Sequence, residues 1–262
     1  MFRGLLEGLV DPGPFDWDIQ TQDTDALNRL ATDTGPDVTA VSIGYYPFIA
    51  DRYQLLPHGG SVGDGYGPVV VAREPLSVED LNGRRVAIPG ETTTAWLVLR
   101  LICQVEPVTV PITPYERIFE ALDARQVDAG LVIHEGRLTY EDLGLHRVVD
   151  IGAWWKERTG LPLPLGGNVI ARSLGDDIPV ASAVLREGIA HALRNRDEAI
   201  AWLLARGGAL GTAERVSEYL DMYANGETLE YSVEARRGLA RLYQEAHAAG
   251  LLPTPVPVDF AP

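Results

Sequence analysis

The fold is decided by residues 84–134, which read RRVAIPGETTTAWLVLRLICQVEPVTVPITPYERIFEALDARQVDAGLVIH. Short apolar runs in this stretch predict buried strands, and longer apolar or amphipathic runs between them predict helices. Strands are predicted at residues 84–88, 108–112 and 127–134, and helices at residues 92–104 and 114–125. Thr113 to Glu116 forms a capping box, with proline at the first position of the second helix. Alternating strands and helices indicate parallel pairing through right-handed crossovers, so this stretch predicts an α/β unit.

Extended segments flank this unit, and residues 67–73 (GPVVVAR) and 166–172 (GGNVIAR) are interpreted as paired hinge strands. Further strands are predicted at residues 37–43 and 146–151, and amphipathic helices at 178–194, 197–206, 212–223 and 232–249. The order predicts an α/β chain of two lobes: residues 1–72 and 170–262 form a larger discontinuous lobe, and residues 73–169 a smaller one. A single doubly wound domain with a helical tail is the alternative. In the two-lobed arrangement a ligand lies between the lobes, at the carboxyl ends of the parallel strands.

The composition argues against two classes of partner. Acidic side chains number 37 and basic ones 22, which gives a formal net charge of −15. Binding to nucleic acid or to an anionic membrane relies on clustered Lys and Arg, and no run approaches the roughly 18 apolar residues of a spanning helix. We therefore expect neither partner and a cytoplasmic protein. Cys103 is the only cysteine, which excludes an internal disulfide and a paired thiolate metal site.

The segment 90–95 (GETTTA) joins a predicted strand to an apolar helix. The free backbone N–H groups and the positive dipole end of such a helix attract anions. Thr93 and Thr94 add hydroxyl groups, and the small side chain of Ala95 leaves its amide accessible. A threonine that only caps the helix is the alternative interpretation. A nucleotide P-loop is not supported, because GxxxxGK[ST] is absent.

His134 ends the predicted strand 127–134. The last side chain of such a strand faces the cleft of an α/β lobe, and imidazole is the side chain best suited to abstract a proton near neutral pH. A polar strand end bonded to a loop is the alternative. Leu138 occupies the position where an HExxH zinc motif needs its second histidine.

Ala40, Val41 and Ser42 lie near the carboxyl end of the predicted strand 37–43. The Ser42 hydroxyl and neighbouring amides can bind a polar ligand group, although a structural serine fits the segment equally well. Trp154 and Trp155 are adjacent, so we expect one in the core and the other at the cleft or surface.

The glycine-rich segment 58–67 (HGGSVGDGYG) runs into a strand rather than a helix, unlike a dinucleotide-binding fingerprint. We expect it to allow a close backbone approach or to form a plain turn. The histidines other than His134 have no partner at metal or triad spacing, and we expect them to be structural or to face solvent.

Four segments carry a resemblance to a known family. They are GGSVGDGYGPVVVAR (59–73), GETTTAW (90–96), VDAGLVIHEGRLTY (127–140) and VVDIGAWWKERTGLPLPLGG (148–167). In these segments, and over nearly its whole length, the chain resembles the 1,4-dihydroxy-6-naphthoate synthases of the futalosine route to menaquinone. The resemblance implies a two-lobed fold like that of type II periplasmic binding proteins, and lyase activity on cyclic dehypoxanthine futalosine.

The resemblance also implies roles for individual residues. His134 matches the family's proposed general base, and Ala40 to Ser42 and Thr94 to Ala95 match its substrate contacts. The implied ligand is a small anionic aromatic precursor, and no redox cofactor or metal is expected. The sequence departs from the family at Ala40, where many relatives have lysine, and at its start, because family members usually begin with a strand and a loop of the form SPCPNDTF that should precede Met1. Either the start was assigned too late or the protein lacks this strand. Chorismate dehydratase of the same route and a non-catalytic solute-binding protein are the alternative functions.

Overall fold

The computed structural model describes residues 1–33, 35–111, 114, 116–207, 210–252 and 258–262. In this part of the chain the strands form two sheets. The strands are β1 (Val38–Ser42), β2 (Tyr53–Leu55), β3 (Ser61–Gly63), β4 (Val69–Ala72), β5 (Arg85–Ile88), β6 (Glu106–Thr109), β7 (Ala129–Val132), β8 (His146–Asp150) and β9 (Leu163–Ala171). The helices are α1 (Arg3–Leu6), α2 (Thr24–Thr32), α3 (Thr94–Ile102), α4 (Arg117–Asp123), α5 (Gly136–Thr139), α6 (Ile151–Thr159), α7 (Ile178–Arg194), α8 (Arg196–Ala205), α9 (Ala213–Tyr223), α10 (Gly226–Leu229) and α11 (Val233–Ala248). No helix within the described ranges combines the length and apolarity needed to cross a membrane.

The second sheet has the strand order β6-β5-β7-β4-β8 and contains the α/β unit. Strand β5 pairs in parallel with both β6 and β7, and the chain passes through α3 and α4 between them. The predicted parallel crossovers are therefore confirmed. Thr113 and Tyr115 of the predicted capping box lie outside the described residues, and the helix that follows them begins at Arg117.

The first sheet is antiparallel and is built around the long strand β9, which pairs with β1, β2 and β3. Strand β4 belongs to the other sheet, where β7 and β8 occupy its two edges. The predicted pairing of segments 67–73 and 166–172 is therefore wrong, because each strand already has partners on both sides. The division into two lobes stays a prediction, and the change from one sheet to the other falls between β3 and β4 and again between β8 and β9.

One apolar core connects the sheets, since it contains Val41 and Val169 of the first sheet and Val86 of the second. Trp155 is fully buried in this core and donates its indole N–H to the Pro162 carbonyl oxygen at 3.1 Å. Trp154 is only partly buried against the core, so the predicted divergence of the two side chains is confirmed.

Helix α6 was not predicted from the sequence, and its two ends explain why it forms. The Asp150 side chain accepts the N–H groups of Gly152 and Ala153, both at 3.0 Å, which caps the first turn. At the other end Gly160 adopts a φ of 71°, and this left-handed conformation stops the helix.

Gly67 and Gly152 mark a close approach between the glycine-rich segment and α6. A Cβ atom on Gly67 would lie 2.8 Å from the Gly152 nitrogen, and one on Gly152 would meet the Tyr66 carbonyl. Of the two expectations for the glycine-rich segment, close backbone approach therefore applies at Gly67.

We predict that Gly152→Ala destabilises the fold by about 1–3 kcal/mol, because backbone atoms would have to move to admit the methyl group. Urea unfolding measures the free energy. Gly226→Ala is the matched control, since a Cβ on Gly226 meets nothing within 4 Å. Equal stability of the two variants would contradict the close approach.

His58 is a buried histidine within the first sheet's packing against α7. Its side chain is 1% exposed, and Nε2 lies 3.2 Å from the Ser182 hydroxyl. Nδ1 has no hydrogen-bond partner among the described residues. Burial, with a smaller contribution from the Arg186 charge, lowers the pKa of His58 from 6.5 to about 4.

We predict that His58 makes the fold acid-sensitive. Between pH 6.5 and about 4 the unfolded chain binds a proton at this residue and the folded chain does not, so stability is lost as the pH falls. Between pH 7 and pH 5 the wild type should lose about 2 kcal/mol more than His58→Gln in urea unfolding. The same pH dependence in both proteins would refute the assignment.

Candidate functional site

The buried side chain of Asn28 joins helix α2 to strand β1 and to the loop before α3. Its Oδ1 atom accepts the Ser42 N–H at 2.8 Å, and its Nδ2 group donates to the Ser42 hydroxyl at 3.1 Å. Nδ2 also lies within hydrogen-bond distance of the Thr92 hydroxyl at 2.9 Å and the Thr92 carbonyl at 3.2 Å. The Thr92 hydroxyl donates in turn to Asp25 at 2.5 Å. This network places the end of β1 beside the start of α3.

The hydroxyl groups predicted for anion binding are bonded within the protein. Thr93 caps α3 by accepting the Trp96 N–H at 3.2 Å. The Thr94 hydroxyl accepts the Gly44 N–H at 2.9 Å and donates to the Leu165 carbonyl at 2.6 Å, which ties α3 to the first sheet.

Unlike these hydroxyl groups, two backbone amides at the start of α3 are not bonded to any described residue. Those of Thr94 and Ala95 have no acceptor within the described part of the chain, so they are the free donors of the predicted anion site. Both residues are buried. The Asp25 carboxylate packs against Gly90 on the same loop, so a negative charge of the protein already faces this helix end.

The three candidate residues on β1 have different surroundings. Ser42 is buried and belongs to the Asn28 network. Val41 lies in the apolar core, whereas Ala40 is exposed and pairs in register with Asn168. Only Ser42 is therefore brought next to the start of α3, and a substrate contact by any of the three stays a prediction.

His134 lies in a turn between β7 and α5. Strand β7 spans Ala129–Val132, so the predicted strand 127–134 was two residues too long at each end. His134 adopts a φ of 52°, a left-handed conformation that is uncommon for residues other than glycine and often occurs at functional sites. The side chain is half-buried, and its Nδ1 atom lies 3.4 Å from the Tyr219 hydroxyl oxygen.

Burial and nearby charges act on the His134 imidazole in opposite directions. Burial is the larger effect and lowers its pKa, whereas the carboxylates of Glu135 and Asp23 raise it. Because burial prevails, the ring is neutral near pH 7. Asp23 caps α2, the helix that also carries Asn28, so α2 connects the surroundings of His134 with the start of α3.

Helix α9 covers the turn that holds His134. Arg215 of α9 forms an ion pair with Asp142 at 2.6 Å, and Leu138 of α5 packs in an apolar cluster with Val216. On the other side of the turn Arg137 pairs with the buried Asp150 at 2.7 Å. The turn is therefore held from two sides.

Sequence reasoning missed Asn28, Asp23 and Tyr219. Asn28 lies three residues before the buried Ala31, on the apolar face of an amphipathic helix. A polar side chain at such a position is a signal that the sequence does contain. Tyr219 lies 85 residues from His134, and no local pattern encodes that contact.

The described residues contain no group of three or more His, Cys, Asp or Glu side chains that could hold a metal ion. A cavity of about 60 Å³ lies apart from the residues above, between α1, α7, α8 and α9. Its volume is well below the roughly 300–1,000 Å³ of typical ligand pockets.

Comparison with known proteins places the chain in a family. Residues 1–248 match the family described as menaquinone biosynthesis. The chain belongs to this menaquinone biosynthesis family. Two relatives in it are named 1,4-dihydroxy-6-naphthoate synthase: one from Thermus thermophilus is 41% identical over 98% of this chain and 93% of its own. The other, from Streptomyces coelicolor, is 35% identical over 97% of this chain and 90% of its own. The predicted resemblance is confirmed.

Comparison with solved structures confirms the predicted fold class. A crystal structure of a protein from Archaeoglobus fulgidus is 41% identical and has a TM-score of 0.88, over 95% of this chain and 92% of that one. An alkanesulfonate-binding protein from Xanthomonas axonopodis has a TM-score of 0.65 at 16% identity, over 88% of this chain and 82% of that one. The fold is that of type II periplasmic binding proteins.

We predict that Thr94→Val destabilises the protein by about 1–3 kcal/mol, because the buried Gly44 N–H loses its acceptor and the Leu165 carbonyl keeps only the Ile43 N–H as a donor. Thermal or urea unfolding measures the loss. Thr109→Val makes the same replacement at an exposed strand position and should be nearly neutral. Comparable stabilities for the two variants would show that the Thr94 hydroxyl does not hold α3 to the first sheet.

Proposed function

We propose that this protein is a 1,4-dihydroxy-6-naphthoate synthase, a lyase that converts cyclic dehypoxanthine futalosine to 1,4-dihydroxy-6-naphthoate in menaquinone biosynthesis. The observation that carries the proposal is the match, over nearly the full length of the chain, to two enzymes of that name. The surroundings of His134 support it, because a half-buried, neutral imidazole in a left-handed turn suits a general base.

His134 acts first in the proposed reaction. The neutral imidazole takes an acidic proton from a carbon atom of the substrate, and the electron pair left behind is delocalised as an enolate. Cleavage of a carbon–carbon bond then releases the sugar-derived fragment, and aromatisation of the bicyclic product drives the reaction. The carboxylates of Glu135 and Asp23 stabilise the imidazolium that forms.

The start of α3 has the complementary role. The free amides of Thr94 and Ala95 donate hydrogen bonds to an anionic oxygen of the substrate, with the positive end of the helix dipole behind them. Thr93 and Thr94 hold this helix end in place through their hydroxyl groups. The two lobes, residues 1–72 with 170–262 and residues 73–169, open to admit the substrate and close to exclude water.

Two incubations test the proposal. The purified protein is given cyclic dehypoxanthine futalosine in one and chorismate in the other, and the substrates and the naphthoate product are followed by chromatography. Formation of 1,4-dihydroxy-6-naphthoate from the first substrate alone is the expected result. Consumption of chorismate would indicate a dehydratase instead, and binding of either compound without turnover would indicate a binding protein.

We predict that His134→Ala lowers kcat by a factor of roughly 10² to 10⁴ while substrate binding survives, because the general base is lost. Steady-state kinetics and calorimetric titration measure the two quantities. His134→Asn should behave in the same way, and asparagine tolerates the left-handed backbone, so this variant guards against a folding defect. His146→Ala removes an exposed histidine of β8 and should retain full activity. Near-normal turnover by both His134 variants would exclude the assignment.

A further inference from the structure

We propose that Tyr219 is a positioning residue that selects the tautomer of His134: the Nδ1–H group donates to the Tyr219 hydroxyl oxygen, and the lone pair of Nε2 is left free to accept the substrate proton. This inference rests on the proposed function, and it adds a residue from a distant helix to the site. The contact joins α9 to the turn after β7, and Nδ1 and the hydroxyl oxygen are 3.4 Å apart.

The Tyr219 ring is held in place by its neighbours. Its ring centroid lies 5.1 Å from that of Tyr223, one turn further along α9, and Tyr223 packs edge-on against Tyr66 at 6.0 Å. Thr212 caps α9, and the ion pair of Arg215 with Asp142 fixes the helix against the segment that follows His134. The hydroxyl oxygen is therefore presented to the imidazole from a rigid element.

The chemistry of a neutral imidazole gives this contact its importance. One ring nitrogen carries a hydrogen and the other carries a lone pair. A hydrogen-bond partner at one nitrogen determines which of the two nitrogens carries the hydrogen. If the Tyr219 hydroxyl donated to Nδ1, Nε2 would carry the hydrogen and could not act as a base. A hydroxyl oxygen that accepts from Nδ1–H serves both the neutral ring and the imidazolium, so the contact survives proton transfer without rearrangement.

The groups around the pair favour the same arrangement. The carboxylates of Glu135 and Asp23 act on the imidazole and favour its protonated form, in which Nδ1 must donate. Glu135 and the Tyr223 hydroxyl also act on Tyr219, and burial raises the pKa of Tyr219 well above its usual range. The hydroxyl group therefore stays neutral at physiological pH and does not itself titrate there.

Nitrogen NMR of the substrate-free full chain, labelled with ¹⁵N-histidine, tests the inference without any assay of activity. The chain has five histidines, and the spectrum of His134→Asn identifies the signals of His134. In the wild type Nδ1 of His134 should have the chemical shift of a protonated nitrogen and Nε2 that of an unprotonated one. In Tyr219→Phe the two shifts should move towards each other as the tautomers mix. A wild-type ring with its hydrogen on Nε2, or a spectrum unchanged by Tyr219→Phe, would overturn the inference.

The pH profile of kcat/KM provides the second readout. Tyr219→Phe should lower kcat by about tenfold or more with less change in KM, because a hydrogen bond to the imidazolium is lost. Its acid limb should move about one unit to lower pH, since the protonated ring loses an acceptor. Tyr223→Phe is the control, because it removes a hydroxyl oxygen one turn further along α9 that makes no hydrogen bond within the described residues. This variant should leave the acid limb of the kcat/KM profile in place. A reduced rate with an unmoved limb would mean that Tyr219 is merely structural.

The two readouts separate this inference from the proposed function. A wild-type chain that turns over no naphthoate precursor would refute the function, and the NMR spectra would still decide the tautomer. An active chain whose His134 tautomer ignores Tyr219→Phe would leave the function standing and refute the role of Tyr219.

Discussion

The arrangement around the candidate site depends on one buried carboxamide. Asn28 is fully buried, and its polar atoms bind β1 through Ser42 and the loop before α3 through Thr92. A buried amide must be satisfied, because an unpaired donor or acceptor costs about 1–3 kcal/mol. Once Asn28 is paired in this way, the orientation of α2 is fixed. Its capping residue Asp23 then lies close enough to His134 to act on its charge.

The backbone at His134 shows what this packing has to sustain. A residue other than glycine in the left-handed region costs of order 1 kcal/mol or more, so the surrounding contacts must hold it there. Arg137 with Asp150 anchors the chain just after the turn, and the packing of Leu138 beneath α9 anchors it from the opposite side. In this backbone conformation the Nδ1 atom of His134 lies 3.4 Å from the Tyr219 hydroxyl oxygen.

The parts of the fold that were predictable are those set by local pattern. Apolar runs and crossover rules identified β5, α3 and β7 and their parallel pairing, and amphipathic periodicity identified α7 and α11. Periodicity does not encode partners, which is why β4 and β9 were paired with each other although they lie in separate sheets. Helix α6 was missed because its stability comes from the Asp150 cap and from burial of Trp155 rather than from an amphipathic pattern.

The candidate site was predictable only where a reactive or polar residue stands at the end of a strand or the start of a helix in the sequence. His134 follows an apolar strand, and the threonines precede an apolar helix, so both were identified. The partners that define their behaviour come from elsewhere in the chain: Asp25 and Asn28 from α2, and Tyr219 from α9. The hydroxyls of Thr93 and Thr94 were expected to face a ligand, but whether a hydroxyl is free depends on neighbours that the local sequence does not specify.

The carboxylates near the candidate site act differently on His134 and on the start of α3. Asp23 and Glu135 stabilise an imidazolium at His134, and each pKa unit by which they raise the basicity of the ring is worth about 1.4 kcal/mol to the protonated state. The same carboxylates repel an anionic ligand, so an anionic group of the proposed substrate would bind away from the imidazole. The free amides of Thr94 and Ala95 are suited to that task, but the Asp25 carboxylate of α2 faces the loop before α3. Because Asp25 is already engaged by the Thr92 hydroxyl and by Arg29 at 2.8 Å, part of its charge is neutralised where an anion would approach. Asp23 at the cap of α2 and Asp25 in its first turn therefore act on different groups, the first on the imidazole and the second on the loop before α3.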